Sequence, residues 1–226
     1  MQIYGLQKTS LLDYPEHISA IVFTGGCNFN CPFCHNSELL HPRDMQPLQI
    51  EEIFSFLKKR AGVLEGVVIT GGEPTIHPDL PDFIRRIRNL NLKVKLDTNG
   101  TFPDRIQYLI ENRLLDYIAM DVKAAPDHYA KAAGVKFSVD TIKQSITWIQ
   151  NSHIPYEFRT TVVRELHEPA SFHELGQLLS GAKLCCLQTF RDSANVSQKG
   201  LHPFTEEEMK QAAKILSFYV QKVQIR

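Results

Sequence analysis

No stretch of the chain approaches the ~18 consecutive apolar residues of a membrane-spanning helix, and the first residues, Met1 to Lys8, lack the apolar core of an export signal. There is no charge of one sign to speak of either. Twenty-five basic residues balance twenty-five acidic ones, so no global field favours nucleic acid or an anionic membrane. Tryptophan occurs once and cysteine five times. An odd cysteine count without an export signal argues against a disulfide framework and for a reducing cytoplasm. Low-complexity tracts, internal repeats and linkers are also missing, and 226 residues suffice for one domain with an ample core.

What is present is concentrated. Three of the five cysteines, Cys27, Cys31 and Cys34, fall in one short loop after the strand-like run Ile18–Thr24 and the pair Gly25-Gly26. Thiolates this close can converge on a metal centre. A four-iron cluster takes one protein ligand per iron, so three cysteines would leave one iron open, and an open coordination position goes with chemistry rather than structure. The loop alone leaves three other readings standing. Zinc would need a fourth ligand, for which His35 is the near candidate. Cys31-Pro32-Phe33-Cys34-His35 spells the haem-attachment pattern. A disulfide would leave one thiol over.

Apolar periodicity orders the rest. Strands are expected at Gly66–Thr70, Lys93–Asp97, Asp116–Lys123, Pro155–Val163 and Leu184–Phe190, after the first at Ile18–Thr24. Between them, helical stripes run through Ile50–Ala61 with Gly62 as the stop, through Leu80–Leu90, through Ile106–Ile110, and through Val139–Ile149 with Asp140 as a cap. Ser171 with Glu174 reads as a capping box, and so does Thr205 with Glu208, which would open a last helix reaching Val223. Residues 1–17 read as an irregular lead-in and 191–203 as a long flexible loop. Six strand–helix units joined by right-handed crossovers predict a parallel α/β fold, and six fall short of the eight that close a barrel. The expectation is an open, partial (β/α)6 barrel spanning 1–226 as one domain.

In such folds working groups gather at the carboxyl ends of strands. The polar motifs fall there: the cysteine loop, then Gly71-Gly72-Glu73-Pro74, then Asp97-Thr98-Asn99-Gly100, then Asp121-Val122-Lys123. Each alone reads as a turn or a solvated ion pair; together they mark one rim. Strand alternation also turns Asp121 and Lys123 the same way.

With these residues in hand, the chain resembles the radical S-adenosylmethionine (SAM) enzymes. Cys27, Cys31 and Cys34 match their Cys-x3-Cys-x-aromatic-Cys signature, with Phe33 as the aromatic, and Gly71-Gly72-Glu73 matches their second motif. The lead-in Leu6–Pro15 and Cys34-His35-Asn36 look like the anaerobic ribonucleoside-triphosphate reductase activating proteins among the glycyl-radical-enzyme activases. Two positions depart: Gly25-Gly26 stands where Gln-Gly is usual, and Asn36-Ser37 where Asn-Pro is. The resemblance implies a [4Fe-4S] cluster on the three cysteines and reductive cleavage of SAM to a 5′-deoxyadenosyl radical that attacks a glycine of a partner protein. It implies reduced flavodoxin or ferredoxin as electron donor. It places Phe33 and His35 near the adenine, Gly71, Gly72 and Glu73 at the methionine amino group, Asn36 and Pro74 among the cofactor-binding residues, and Asp97, Thr98, Asp121 and Lys123 around SAM and substrate. Arg159 and Arg191 are further candidates. Cys185 and Cys186, adjacent in an apolar strand, read as core. The rival readings are a radical SAM enzyme for a small molecule such as a nucleotide precursor, and a metal-binding structural module.

Overall fold

The computed structural model describes residues 1–43 and 45–226. Its frame is an eight-stranded sheet in which sequence order is spatial order: β1 (Ile3–Ser10), β2 (Ser19–Thr24), β3 (Gly66–Gly71), β4 (Lys93–Thr98), β5 (Tyr117–Asp121), β6 (Tyr156–Val162), β7 (Cys185–Thr189) and β8 (Val223–Ile225). β1 pairs antiparallel with β2, and every later neighbour is parallel. Helices α1 (Ile50–Arg60), α2 (Leu80–Arg88), α3 (Pro103–Glu111), α4 (Tyr129–Ala133), α5 (Asp140–Gln150), α6 (Ser171–Leu178) and α7 (Glu206–Leu216) lie in the connections. Among the described residues β1 and β8 are not joined, so the curved sheet stays open. The six expected parallel strands are present, with ends differing by a residue or two, as strand boundaries commonly do.

Side-chain parity divides the sheet into two faces. Val67, Ile69, Val94, Leu96, Ile118, Met120 and Phe158 point to the helices and join the main core, completely or almost completely buried. The alternate positions point inward. There Tyr14, Ile21, Val68, Tyr117 and Ala119 form a small apolar plug. By the same parity Lys95, Asp97, Asp121, Glu157, Arg159 and Cys186 line the inside. A parallel strand buried on both faces is expected to be apolar throughout, so this inward polar set is the departure that marks a site.

Several expectations are corrected. The lead-in is largely a strand: β1 fills the free edge of β2, and Leu48 N donates to the Ile3 carbonyl (2.7 Å). The last helix stops at Leu216; Val223 instead begins β8, captured by the open edge of β7. The 216, 220, 223 spacing satisfies a helix and a turn equally, so periodicity could not separate them. Thr205 and Glu208 do form a reciprocal capping box, a feature that contributes about 1 kcal/mol. Ser171 and Glu174 do not; Ser171 Oγ donates to the Glu168 carbonyl (2.7 Å). Asp140 is the first residue of α5 rather than its cap, and its N–H is taken by Ser138 Oγ (3.2 Å). The 191–203 segment has no helix or strand, but it is tied to the cysteine loop by Gln198 N on the Pro32 carbonyl (2.9 Å) and by Ser37 on the Asn195 carbonyl.

Candidate active site at the carboxyl ends of the strands

The cysteine loop leaves β2 through Gly26, in the left-handed region at φ +85°, and is pinned from three sides. Gly26 N donates to the Leu39 carbonyl (2.7 Å), Asn30 N to the Ala133 carbonyl (2.9 Å), and Cys34 N closes a turn on the Cys31 carbonyl (3.1 Å). Phe29 anchors it in an aromatic group with Tyr129 and Phe137. The result is that Cys27, Cys31 and Cys34, all free thiols, line one cavity of ≈ 230 Å³ together with Phe33, His35 and Asn36. A larger groove (≈ 820 Å³) lies at the opposite end of the barrel beside Tyr14 and His17, and contains none of the thiols.

Among the described residues no group of three His, Cys, Asp or Glu side chains could hold a single metal ion. The thiols share a cavity yet do not converge on one point, which suits a polynuclear iron cluster better than zinc. Burial pushes the Cys27 thiol up to about 12, and Cys31 and Cys34 move the same way, with Lys123 opposing the rise at all three. Ionising them as ligands therefore requires the positive charge that a metal brings.

The Gly71–Pro74 segment braces this loop. Gly72 N donates to the Thr24 carbonyl (2.8 Å) and Glu73 N to the Gly26 carbonyl (2.8 Å). A methyl group at Gly72 would lie 2.0 Å from Gly26 O, so the absence of a side chain here serves loop-to-loop contact. Glu73 is 1% exposed. Its carboxylate accepts from Thr75 N (3.0 Å), Thr75 Oγ1, Thr98 Oγ1 (2.7 Å) and Asn99 N (2.6 Å). Burial raises its pKa and these donors oppose that rise. With four protein donors on it, the side chain acts as a brace between the ends of β3 and β4. Pro74 is buried at the start of a short turn and does not line the cavity.

The inward charges form a ladder. Lys123 Nζ meets Asp121 Oδ2 (3.1 Å); Arg159 Nε meets Asp121 Oδ1 (2.8 Å) and its Nη1 meets Asp97 Oδ2 (3.0 Å). Burial alone would raise the Asp121 carboxyl, but Arg159 and Lys123 outweigh it and hold the group at about 2. Burial would likewise depress the Lys123 ammonium, and Asp121 more than offsets it, keeping the pKa above the ordinary lysine range. Lys123 Nζ also sits 5.8 Å from the centre of the Phe33 ring, within cation–π reach.

Of the residues marked from the sequence, Phe33, His35, Asn36, Gly71, Gly72, Glu73, Asp97, Thr98, Asp121, Lys123 and Arg159 line the same cavity as the three cysteines. Arg191 does not: it follows the end of β7, is exposed, and lies outside the lining. Cys185 and Cys186 are fully buried in β7 and away from the cavity. Asn99, marked only as part of the Asp97–Gly100 motif, also lines it, as do Thr161 and Gln188, which were not singled out. Asn99 Nδ2 reaches Cys27 Sγ (3.9 Å) and Asn28 Oδ1 (2.9 Å). Gln188 had a readable signal, being a polar residue of inward parity at the carboxyl end of an apolar strand.

The radical SAM superfamily profile matches residues 21–172. A protein of Methanocaldococcus jannaschii, provisionally named a glycyl-radical enzyme activating enzyme, is 33% identical over 99% of this chain and 95% of its own length. A Pyrococcus abyssi protein provisionally named GTP 3′,8-cyclase is 44% identical over 36% of this chain and 26% of its own. Among solved structures, Streptococcus suis SuiB bound to S-adenosylmethionine superposes with a TM-score of 0.69 at 12% identity, over 91% of this chain and 51% of that one. The cysteine loop, the open parallel barrel and the profile match agree: this chain belongs to the radical SAM superfamily, whose enzymes use a [4Fe-4S] cluster and S-adenosylmethionine.

Proposed function

We propose that the protein activates a glycyl-radical enzyme by removing a hydrogen atom from a glycine of that partner, with anaerobic ribonucleoside-triphosphate reductase as the expected partner. The observation that carries the reading is the meeting of three free thiols, the Gly71–Glu73 brace and the Asp121–Lys123 pair in one cavity. The near-full-length likeness to the M. jannaschii protein supports the choice of a protein substrate. An open sheet edge is also compatible with entry of a polypeptide loop rather than a small molecule alone.

Cys27, Cys31 and Cys34 would hold the cluster. When bound, the cluster would supply an electron, delivered by reduced flavodoxin or ferredoxin, for reductive cleavage of the SAM sulfonium. The chain's own residues bind and orient. Lys123 stays protonated across the physiological range and can neutralise a ligand carboxylate. Asp121 stays ionised and can accept a hydrogen bond from a ribose hydroxyl or a peptide N–H. Phe33 offers an apolar face beside Lys123. Arg159, shared by Asp97 and Asp121, keeps the two carboxylates at a fixed separation, the kind of pre-set geometry that brings reacting atoms together.

Anaerobic reconstitution and reduction, followed by an assay for 5′-deoxyadenosine with SAM, tests the reading. A glycyl-radical electron paramagnetic resonance signal should appear only when the partner reductase is added. The likeness to the P. abyssi protein makes GTP the control substrate. Consumption of GTP with no radical on any candidate partner would replace the activase reading with a small-molecule one.

A further inference from the structure

Lys95 is a buried cation inside the barrel, 4% exposed at its side chain, and it is not among the residues lining the cavity. Its Nζ donates to the Asp13 carbonyl and lies 3.5 Å from Asp97 Oδ1 and 4.0 Å from Glu157 Oε1. Among the described residues, Asp97 Oδ1 is buried and accepts no hydrogen bond. Lys95 is thus its near cation, while Asp97 Oδ2 turns to Arg159. Glu157 is neutralised separately by Arg226 (2.9 Å).

Register fixes the vertical order. Lys95 lies beside Tyr117, Asp97 beside Ala119, and Asp121 beside Arg159. From the Tyr14 end toward the mouth, Lys95 therefore comes first, then Asp97, then Arg159 and Asp121 side by side, then Lys123, and each of these charges has an opposite charge next to it. The foot of this column rests on the Ser10–Tyr14 turn of the Leu6–Pro15 lead-in, through the Asp13 carbonyl. That turn is braced internally, with Ser10 Oγ accepting from Leu12 N and Asp13 N (both 3.2 Å). It is anchored by Tyr14, which is 2% exposed and packs edge-on against Tyr117 (6.1 Å).

We infer that Lys95 is a positioning residue, which ties the Ser10–Tyr14 turn to Asp97 and through Asp97 and Arg159 sets the Asp121–Lys123 pair that meets the ligand. The inference rests on the proposed reading of the cavity as the SAM and substrate site. It also gives the Leu6–Pro15 lead-in a physical role, since the backbone carbonyl of Asp13 seats the lysine that orients the floor of the cavity. Without that ammonium, Asp97 Oδ1 would be a buried carboxylate oxygen with no cation near it and Arg159 would be left as the counter-charge on Oδ2 alone, which favours rotation of the side chain. Rotation of Asp97 would release one arm of Arg159 and loosen Asp121.

The test is SAM affinity of anaerobically reconstituted Lys95→Met and Lys95→Gln by equilibrium dialysis, with iron content and thermal midpoint on the same preparations. Both variants should retain iron and bind SAM about tenfold more weakly. The discriminating measurement is the cycle with Asp97→Asn. If Lys95 acts through Asp97, the Lys95→Met, Asp97→Asn double variant should be no weaker than the worse single variant, because coupled groups fail to add. Additive losses would make Lys95 merely structural, as would misfolding of both Lys95 variants, and wild-type affinity in either would remove it from the site. A wild-type protein that bound no SAM would instead overturn the reading of the cavity itself.

Discussion

Substituting alanine at Gly72 should dismantle the cysteine loop without touching a cysteine. The added methyl would sit 2.0 Å from the Gly26 carbonyl oxygen and 2.7 Å from its carbon, where ordinary contact begins at 3.4 Å. The obstacle is backbone, so no rotamer change relieves it. One of the two strands of chain must move by more than an ångström, and the Glu73 N–Gly26 O hydrogen bond (2.8 Å) lies in the way. Overpacking of this kind costs about 1–3 kcal/mol and the lost bond about 0.5–1.5 kcal/mol. Against that, alanine restricts the unfolded chain, a gain of about 0.4–1 kcal/mol, leaving a net loss of about 0.5–4 kcal/mol with its centre near ~2 kcal/mol. Two other glycines separate the contributions. Among the described residues Gly62→Ala meets nothing within 4 Å, and Gly62 has no left-handed φ, so it should be neutral or slightly stabilising. Gly181→Ala is equally open but at φ +81°, and should lose about 1 kcal/mol from backbone strain alone. Urea denaturation of the three apoproteins under reductant gives the ranking, and iron content after reconstitution gives the functional consequence. Gly72→Ala should be the least stable and the poorest in iron. If it matched Gly62→Ala in both, the close packing of the two loops would be refuted.

Replacing Cys27, Cys31 or Cys34 by Ala should abolish cluster binding and SAM cleavage, while Cys185→Ala and Cys186→Ala should keep the iron–sulfur absorption band unchanged; iron loss from either of the latter two would break the assignment. Lys123→Met should retain the cluster but lower radical transfer to the partner more than tenfold, equivalent to at least ~1.4 kcal/mol of barrier, measured as spin signal per chain; a surface ion pair would change it hardly at all. The pH dependence of stability should carry the Asp121 signature. Its folded pKa of about 2 lies below the ordinary carboxylate value, so its contribution is complete above about pH 4 and is lost as pH falls toward 2. With the side chain 31% exposed, that contribution should be about 1–2 kcal/mol after solvent screening. Thermal midpoints of the wild type and Asp121→Asn should therefore differ by a constant amount near neutrality and converge at acid pH; a gap that widened on acidification would reverse the sign of the argument.

The parallel strands were legible because a strand buried on both faces must be apolar: Val67-Val68-Ile69 and Ile118-Ala119-Met120 leave little else to form. The cysteine spacing likewise limited the chemistry before any fold was known, since three thiols in eight residues can serve one centre. Asp121 and Lys123 could be assigned to one face by parity alone. Beyond that, local sequence was mute. β1 and β8 became strands because β2 and β7 offered free edges, and edge pairing is a property of the neighbour, not of the segment. Arg159 and Arg191 looked alike as late-strand arginines; the first falls on the inward face between two carboxylates and the second emerges beyond the strand into solvent. Glu73 could be read as a ligand residue, but only the meeting of the β3 and β4 ends shows four donors already on its carboxylate. Sequence periodicity determined which way each side chain faces. The column from Lys95 to Lys123 required the register between strands, because charges far apart in the chain interact only once hydrogen bonding has set them side by side.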